Sequence, residues 1–204
     1  HRNTSWDQAK FEVCGHKWAD LSEGDYGVAL LNDCKYGYDA RENVIRLALV
    51  RGPVRPDPES DQGVQKFTYS LLPHAGNWRQ AQVARRGYEL NIPALAVEIS
   101  LSNKNSEGHI PPMQSFLQVD SESLIVETLK QAEAGDGLIL RTFDSHGCHA
   151  KIPLTFAMDL DSATETDLME KNAQTIELAN QYSFFSRYKA HEIKTHRLDF
   201  NRKA

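Results

Sequence analysis

The sequence predicts an all-β, mainly antiparallel chain of β-sandwich domains, with one short helix in its first half. Three observations predict this. The apolar runs are short and mostly alternate with period two, as half-buried strands do. Clusters of Gly, Pro, Asn and Asp separate them about every ten residues, the spacing of sandwich and barrel turns. A single window, residues 77–90, carries convincing helical spacing.

Residues 26–32, Tyr-Gly-Val-Ala-Leu-Leu-Asn, read as a well-buried strand between Gly24-Asp25 and Asn32-Asp33. Residues 43–50 put Val44, Arg46 and Ala48 on one face and Ile45, Leu47 and Leu49 on the other. Tyr36-Gly37-Tyr38-Asp39 supplies turn chemistry between the two runs, so an antiparallel pair joined by a long loop is expected. Residues 52–63 hold three prolines and two glycines and read as a loop, since proline cannot donate to a central ladder. Residues 65–72 alternate, with Phe67, Tyr69 and Leu71 on one side. The helix follows at 77–90: Asn77 caps it, Trp78, Ala81, Ala84 or Arg85, and Tyr88 share a face, and Asn91-Ile92-Pro93 stops it.

A stretch rich in Pro and Gly at 103–112 separates the halves and places a boundary near it or slightly before, giving domains 1–100 and 101–204. Strands are expected again at 116–120, 124–128, 138–143, 151–156, 163–168, 175–178 and 192–198, with 124–133 readable alternatively as helix.

Composition excludes several classes. At 204 residues, 40% apolar and 25% charged, the chain can bury a core and is neither a disordered tail nor a fibre. A net charge of −5 argues against a nucleic-acid partner, which needs a basic footprint. Apolar runs such as 28–31 are too short for a bilayer, so no membrane is expected. The first residues lack the apolar segment of a signal peptide, and three widely spaced cysteines without a C-x-x-C pair fit reduced thiols, so a cytoplasmic location is the simplest expectation. Asn3-Thr4-Ser5 matches a glycosylation pattern that short sequences meet by chance. The chain opens on His1, so it reads either as a piece of something larger or as a processed chain.

His146-Gly-Cys-His149 is the tightest group of metal-type ligands, but three ligands in one turn have poor tetrahedral geometry, and a plain hairpin turn is the simpler reading. Cys14-Gly15-His16 pairs a thiol and an imidazole only in sequence. No phosphate loop, nucleophile elbow, dinucleotide fingerprint or H-E-x-x-H occurs. Aromatics beside polar groups stand out: Trp6-Asp7, His16-Lys17-Trp18, Asn32-Asp33, and Tyr36 to Asp39. Flat rings with carboxylates and amides beside them suit sugar surfaces, although an ordinary sandwich edge has the same ingredients.

His1-Arg-Asn-Thr-Ser-Trp-Asp7, His16-Lys-Trp-Ala-Asp-Leu-Ser-Glu23 and Tyr26-Gly-Val-Ala-Leu-Leu-Asn-Asp-Cys-Lys-Tyr-Gly-Tyr-Asp39 resemble the C-terminal region of family 38 glycoside hydrolases, in the cytosolic and bacterial α-mannosidase branch. The resemblance continues through Pro56-Asp-Pro-Glu-Ser-Asp-Gln-Gly63, Phe67-Thr-Tyr69, Pro73-His74 and Tyr88-Glu-Leu-Asn91. It is weaker at Gly137-Leu-Ile-Leu-Arg141, Glu165-Thr-Asp-Leu168, Ile176-Glu-Leu-Ala179 and Glu192-Ile-Lys-Thr195. The turn at His146-Gly147-Cys148 and the basic tail from Lys189, with Lys194, Arg197, Arg202 and Lys203, depart from the family pattern or add to it.

The resemblance implies a division of labour. Parent enzymes hydrolyse α-mannosides with retention, using zinc and an aspartate nucleophile in an N-terminal barrel followed by a helical bundle. This chain would hold neither zinc nor the nucleophile and would be inactive alone. Residues 1–100 would be the last part of a large β-sandwich and 101–204 a smaller terminal one. Its partners would be that barrel and bundle, with the α-mannoside at their edge. Residues 32–39 and 57–63, with 1–7 third, would reach the substrate cleft: Asn32, Asp33, Asp39, Asp57 and Asp61 as polar contacts, Tyr36 and Tyr38 as stacking faces. An autonomous carbohydrate-binding module and a subunit interface of a homo-oligomer are the alternatives.

Overall fold

A computed structural model describes residues 5–8, 10–98 and 113–201. The stretch at 103–112, most of 1–7, and Arg202 and Lys203 lie outside the described residues. The chain is all-β and antiparallel throughout its ladders, and forms two compact units, residues 1–98 and 99–204.

The first unit opens with a short helical turn, α1 (Ser5–Gln8), then carries β1 (Val13–Cys14), β2 (Trp18–Glu23), β3 (Tyr26–Asn32), β4 (Gly37–Arg41), β5 (Val44–Leu47) and β6 (Tyr69–Ala75), and ends with helix α2 (Val83–Asn91). Strands β2-β3-β6 form one sheet and β1-β4-β5 another. The central strand β3 spans 26–32 as expected, because its apolar residues are buried on both faces. On one face Ala29 and Leu31 meet Val83 of α2, with Trp18, Leu72, Trp78, Ala81 and Leu90 packed around them. On the other, Leu30 and Tyr38 are buried.

Three expectations change here. Residues 26–32 and 43–50 are not partners: β3 pairs with β2 and β6, and β5 with β4. Tyr36 to Asp39 is not the turn, because Gly37–Arg41 is itself a strand; the reversal falls at Glu42-Asn43, with Glu42 at φ 53°. In the 65–72 segment the strand runs later, over Tyr69–Ala75, and its inward face is Ser70, Leu72 and His74, leaving Tyr69 and Leu71 outside. Strand β6 is an edge of its sheet, with Pro73 in its middle.

The helix is also shorter than its apolar spacing suggests. Asn77 does accept the Arg79 and Gln80 amides at 3.0 and 3.2 Å. The chain then passes through a left-handed Gln82, so the regular helix begins at Val83. Gly87 lets α2 approach β2: a Cβ there would lie 3.0 Å from the Trp18 ring.

Asp20 and His74 form an ion pair or charge-assisted hydrogen bond of 2.7 Å, both side chains nearly buried, and Ser22 donates to the second Asp20 oxygen. The pair joins β2 to β6 across Gly27 of β3, where a Cβ would fall 2.4 Å from Ser22 and 2.5 Å from His74. The bridge exists because residue 27 has no side chain.

The second unit is a sandwich. One sheet is β13-β14-β10-β7, from Leu178–Asn180, Ser183–Tyr188, Ala150–Phe156 and Leu117–Val119. The other is β12-β11-β15-β9-β8, from Gln174–Thr175, Leu160–Thr166, Ile193–Phe200, Leu138–Asp144 and Leu124–Gln131. Residues 124–131 are strand, which settles the strand-or-helix choice there. Strand β14 was not expected; residues 175–178 instead divide between β12 and β13. Leu124, Leu140, Ile152, Leu154, Phe156, Phe184 and Leu198 fill the space between the sheets, with Phe116 and Phe200 edge-on to Phe156.

Two polar pairs lie inside this core. Thr142 and Tyr188 share a 2.6 Å hydrogen bond, and Ser186 bonds His196 Nε2 at 3.0 Å. Burial, with Lys194 nearby, pushes His196 down to about 4. Its folded value lies below the ordinary histidine value near 6.5, so protonation favours the unfolded chain. The neutral ring contributes fully above about pH 6.5, and stability falls as pH drops toward the folded value.

Gly27→Ala should destabilise the first unit by about 3 kcal/mol, since a methyl would displace the buried Asp20–His74 hydrogen bond. Gly24→Ala, where a Cβ meets nothing within 4 Å, should cost less than about 1 kcal/mol. Urea unfolding followed by tryptophan fluorescence measures both, because Trp6, Trp18 and Trp78 all lie in the first unit. In the second unit, hydrogen exchange of the core strands should report about 2 kcal/mol less stability at pH 5 than at pH 7, a loss that His196→Phe removes.

Candidate functional site

The candidate site grows from the end of β3. All four polar atoms of Asn32 are engaged. Its amide donates to Lys17 O at 2.9 Å, and its carbonyl accepts from Asn91 Nδ2 at 2.9 Å. Its Oδ1 accepts the Lys35 amide at 2.7 Å, and its Nδ2 contacts the Tyr38 hydroxyl. Asn32 is 1% exposed and Tyr38 2%, and burial pushes the Tyr38 phenol up. Their side chains therefore face the interior and shape residues 33–37 instead of meeting solvent.

Asp33 continues the same turn. Its carboxylate accepts the Thr68 amide at 2.9 Å while its own amide donates to Thr68 O at 3.2 Å. The Thr68 amide, with a contribution from the Cys34 thiol, holds the Asp33 carboxyl below the usual carboxylate range, and the thiol's contact with Asp33 raises Cys34. Cys34 is the less nucleophilic for it.

Beyond the turn, Tyr36 is 49% exposed and sits edge-on to His16, ring centres 4.6 Å apart. It lines a cleft of about 280 Å³ with Glu12, Lys35, Arg51, Ser60, Asp61 and others. Of the residues singled out from sequence, Tyr36 and Asp61 meet here. Asp39 lies in a neighbouring cleft of about 330 Å³ with Phe11, Arg41 and Arg46, and pairs with Arg46 at 2.6 Å. The two clefts share Glu12 and Ala48. Asp57 is in neither; it accepts the Glu59 amide at 3.0 Å and shapes its own loop.

Whereas Lys35 falls within 32–39, sequence reasoning passed over Glu12 and Arg51, which lie outside the nominated segments and are ordinary in type. It also passed over a third cleft of about 470 Å³, where Tyr26, half exposed, stands with Glu23, Glu42, Asn43 and Val44. The hairpin ends of β2-β3 and β4-β5 form it, and the acidic residues in both turns, with Tyr26 beside the first, were the available signal. Trp18, flagged from sequence, packs on Trp78 at 5.2 Å, while Trp6 is exposed.

Among the described residues no group of three or more His, Cys, Asp and Glu is arranged to hold a metal ion. His146 to His149 is not a hairpin either: it links β9 of one sheet to β10 of the other, and Asp144 gathers it by accepting the Cys148 and His191 amides at 2.8 and 3.1 Å. Cys14 Sγ lies 3.8 Å from His16 Nε2, and all three cysteines are free. No helix of the described residues is long and apolar enough to cross a membrane.

Comparison with known proteins adds the following. Residues 1–59 match the glycosyl hydrolases family 38 C-terminal domain, and residues 123–196 the family 38 C-terminal beta sandwich domain. Alpha-mannosidase 2C1 of Mus musculus is 42% identical over 185 residues, covering 89% of this chain and 17% of that protein. Alpha-mannosidase G of Dictyostelium discoideum is 48% identical over 147 residues, covering 72% and 13%. The crystal structure of an alpha-mannosidase from Enterococcus faecalis V583 superposes with a TM-score of 0.71 over 96% of this chain and 22% of that one, at 18% identity, which speaks to fold. The chain thus spans about a sixth of the length of the mouse relative.

Asn32→Ala should cost the first unit about 2–3 kcal/mol, because the Lys35 amide and Tyr38 hydroxyl lose a buried partner. Tyr36→Ala should change stability by less than about 1 kcal/mol. Chemical denaturation of the two variants side by side separates the residue that builds the turn from the one the turn displays.

Proposed function

This chain belongs to the C-terminal region of glycosyl hydrolase family 38, and from that premise we propose that it is the non-catalytic β-region of an α-mannosidase. It would pack against a zinc-bearing catalytic barrel and helical bundle elsewhere in the protein and complete the wall of the substrate cleft. The whole would hydrolyse terminal α-mannosides with retention, in the cytoplasm. The observation that carries this reading is 42% identity, spread over 89% of the chain, to an alpha-mannosidase.

In this reading residues 1–100 finish a larger β-sandwich and residues 101–204 are a smaller terminal one. Tyr36 and Asp61 supply a ring face and a hydroxyl acceptor at the cleft. Asp33, Asp39 and Asp57 fix the loops around them, and Asn32 and Tyr38 act through the turn they brace. The mechanism needs little more from this chain: a sugar ring is held by apolar contact to its C–H face and by acceptors for its hydroxyls, while bond cleavage needs two carboxyl groups about 5–5.5 Å apart on either side of the sugar.

The cleft around Tyr26 favours a second reading, in which the chain also binds a saccharide by itself. Glu23, Glu42 and Asn43 stand beside an exposed ring there, the chemistry of a hydroxyl-rich ligand. The uncovered Tyr69 and Leu71 on edge strand β6 would, in a homo-oligomer, face a second subunit.

Assay of a chromogenic α-mannoside with added zinc should give no turnover from this chain alone and full turnover from an α-mannosidase that carries it. In that longer protein Tyr36→Ala or Asp61→Asn should lower kcat/KM about tenfold at unchanged melting temperature, which is about 1.4 kcal/mol of transition-state binding. Turnover by the isolated chain would overturn the reading. Heat on mixing the isolated chain with methyl α-mannoside, abolished by Tyr26→Ala, is the result expected of the second.

A further inference from the structure

The structure assigns an anion site to the second unit, at a cleft of about 670 Å³ lined by His149, Lys151, Arg187, Lys189 and Lys194, with Glu165 and Glu192 beside them. We propose that it takes a phosphate group carried on a sugar-sized molecule; this goes beyond the α-mannosidase reading and does not depend on it.

The argument starts from strand register. Lys151 of β10 lies directly opposite Arg187 of β14. Like charges in that position repel across the ladder, a cost the folded chain bears without return unless something anionic sits between them. His149 and Lys189, each one residue beyond the end of its strand, line the same cleft. Four nitrogen-bearing side chains thus line one cleft, in a chain whose net charge is −5.

The two acids that line the cleft, Glu165 and Glu192, are engaged with Lys194 and with a backbone amide. Glu165 holds Lys194 through both oxygens at 2.7 Å. Glu192 accepts the Lys189 amide, a backbone bond, at 2.7 Å. Lys151 lies over the Phe185 ring, 4.2 Å from its centre, which places the ammonium and leaves its N–H donors available. Among the described residues, Lys151, Arg187 and Lys189 make no ion pair with a carboxylate.

The occupant follows from the donors. A carboxylate is satisfied by one guanidinium fork, whereas a phosphomonoester brings three terminal oxygens and a charge of about −1.5 to −2, matching three cleft-lining cations. The volume exceeds that of the bare ion and suits an organic portion of monosaccharide size.

Calorimetry of the purified chain with inorganic phosphate, a hexose 6-phosphate and the unphosphorylated hexose tests this. Both phosphates should bind, more weakly as salt is raised, and the neutral hexose should not. Tighter binding of the hexose phosphate identifies the carried group as the ligand; equal binding identifies the free ion and overturns the sugar-sized part. Arg187→Gln should weaken phosphate about tenfold or more. Lys151→Gln should raise the melting temperature without phosphate and shrink the rise that phosphate brings, a pair of effects that a purely structural lysine would not show. No heat from either phosphate at millimolar concentration, or affinity unchanged in both variants, would falsify the proposal.

Discussion

One buried amide organises the first unit. Asn32 ends the central strand, and each of its four polar atoms is bonded to a different segment: the residue before β2, the end of α2, the turn that follows, and β4. Leaving any of these groups unpaired at 1% exposure would cost about 1–3 kcal/mol, so the position tolerates few other side chains. Because the helix, both sheets and the turn meet at this residue, the direction in which the chain leaves β3 is set. The exposed Tyr36 and its cleft are a consequence of that exit direction. The Asp20–His74 bridge secures the other end of β3 in the same style, through polar contact over a residue without a side chain.

The second unit solves a different problem. Its sheets bury a broad aromatic and aliphatic layer, and hydrophobic burial supplies most of the driving force. Polar groups enter that layer as pairs, Thr142 with Tyr188 and Ser186 with His196. His196 Nδ1 finds no hydrogen-bond partner among the described residues, and the ring stays neutral there because burial disfavours its charged form. Asp144 works at the sandwich end: burial opposes its ionisation, but the His191 and Cys148 amides outweigh that and hold it below the usual carboxylate range. The first unit is therefore set by a few directed bonds, the second by area and packing.

What the sequence made legible follows the same line. Strand β3 could be read to its ends because its residues are apolar on both faces and flanked by turn formers. Strand β2 could not, since Trp-Ala-Asp-Leu-Ser-Glu shows little alternation and its Asp20 is bonded to a histidine far away in sequence. Tyr36 to Asp39 reads as a turn because Gly and Asp are turn residues; tertiary pairing with β1 and β5 overrides that local preference. The helix began late because a left-handed Gln82 cannot be foreseen from apolar spacing. At the site, residue type correctly drew attention to the turn after β3, but type does not say which way a side chain points. Asn32 and Tyr38 went inward, Tyr36 outward, and Glu12 and Arg51 arrived from segments that carry no motif.

The open edge of the first unit has a further consequence. An edge strand with exposed Tyr69 and Leu71 offers its free backbone to any similar strand it encounters, and such encounters are how ordered aggregates begin. Pro73 sits in the middle of that strand and has no N–H to give, while its ring crowds any neighbour that tries to lie flush. During synthesis or partial unfolding, a second chain could therefore zip along this edge for only a few residues before the ladder fails. One imino acid thus guards the most adhesive border of the unit against its own copies, yet leaves its side-chain face free for a partner that approaches from above.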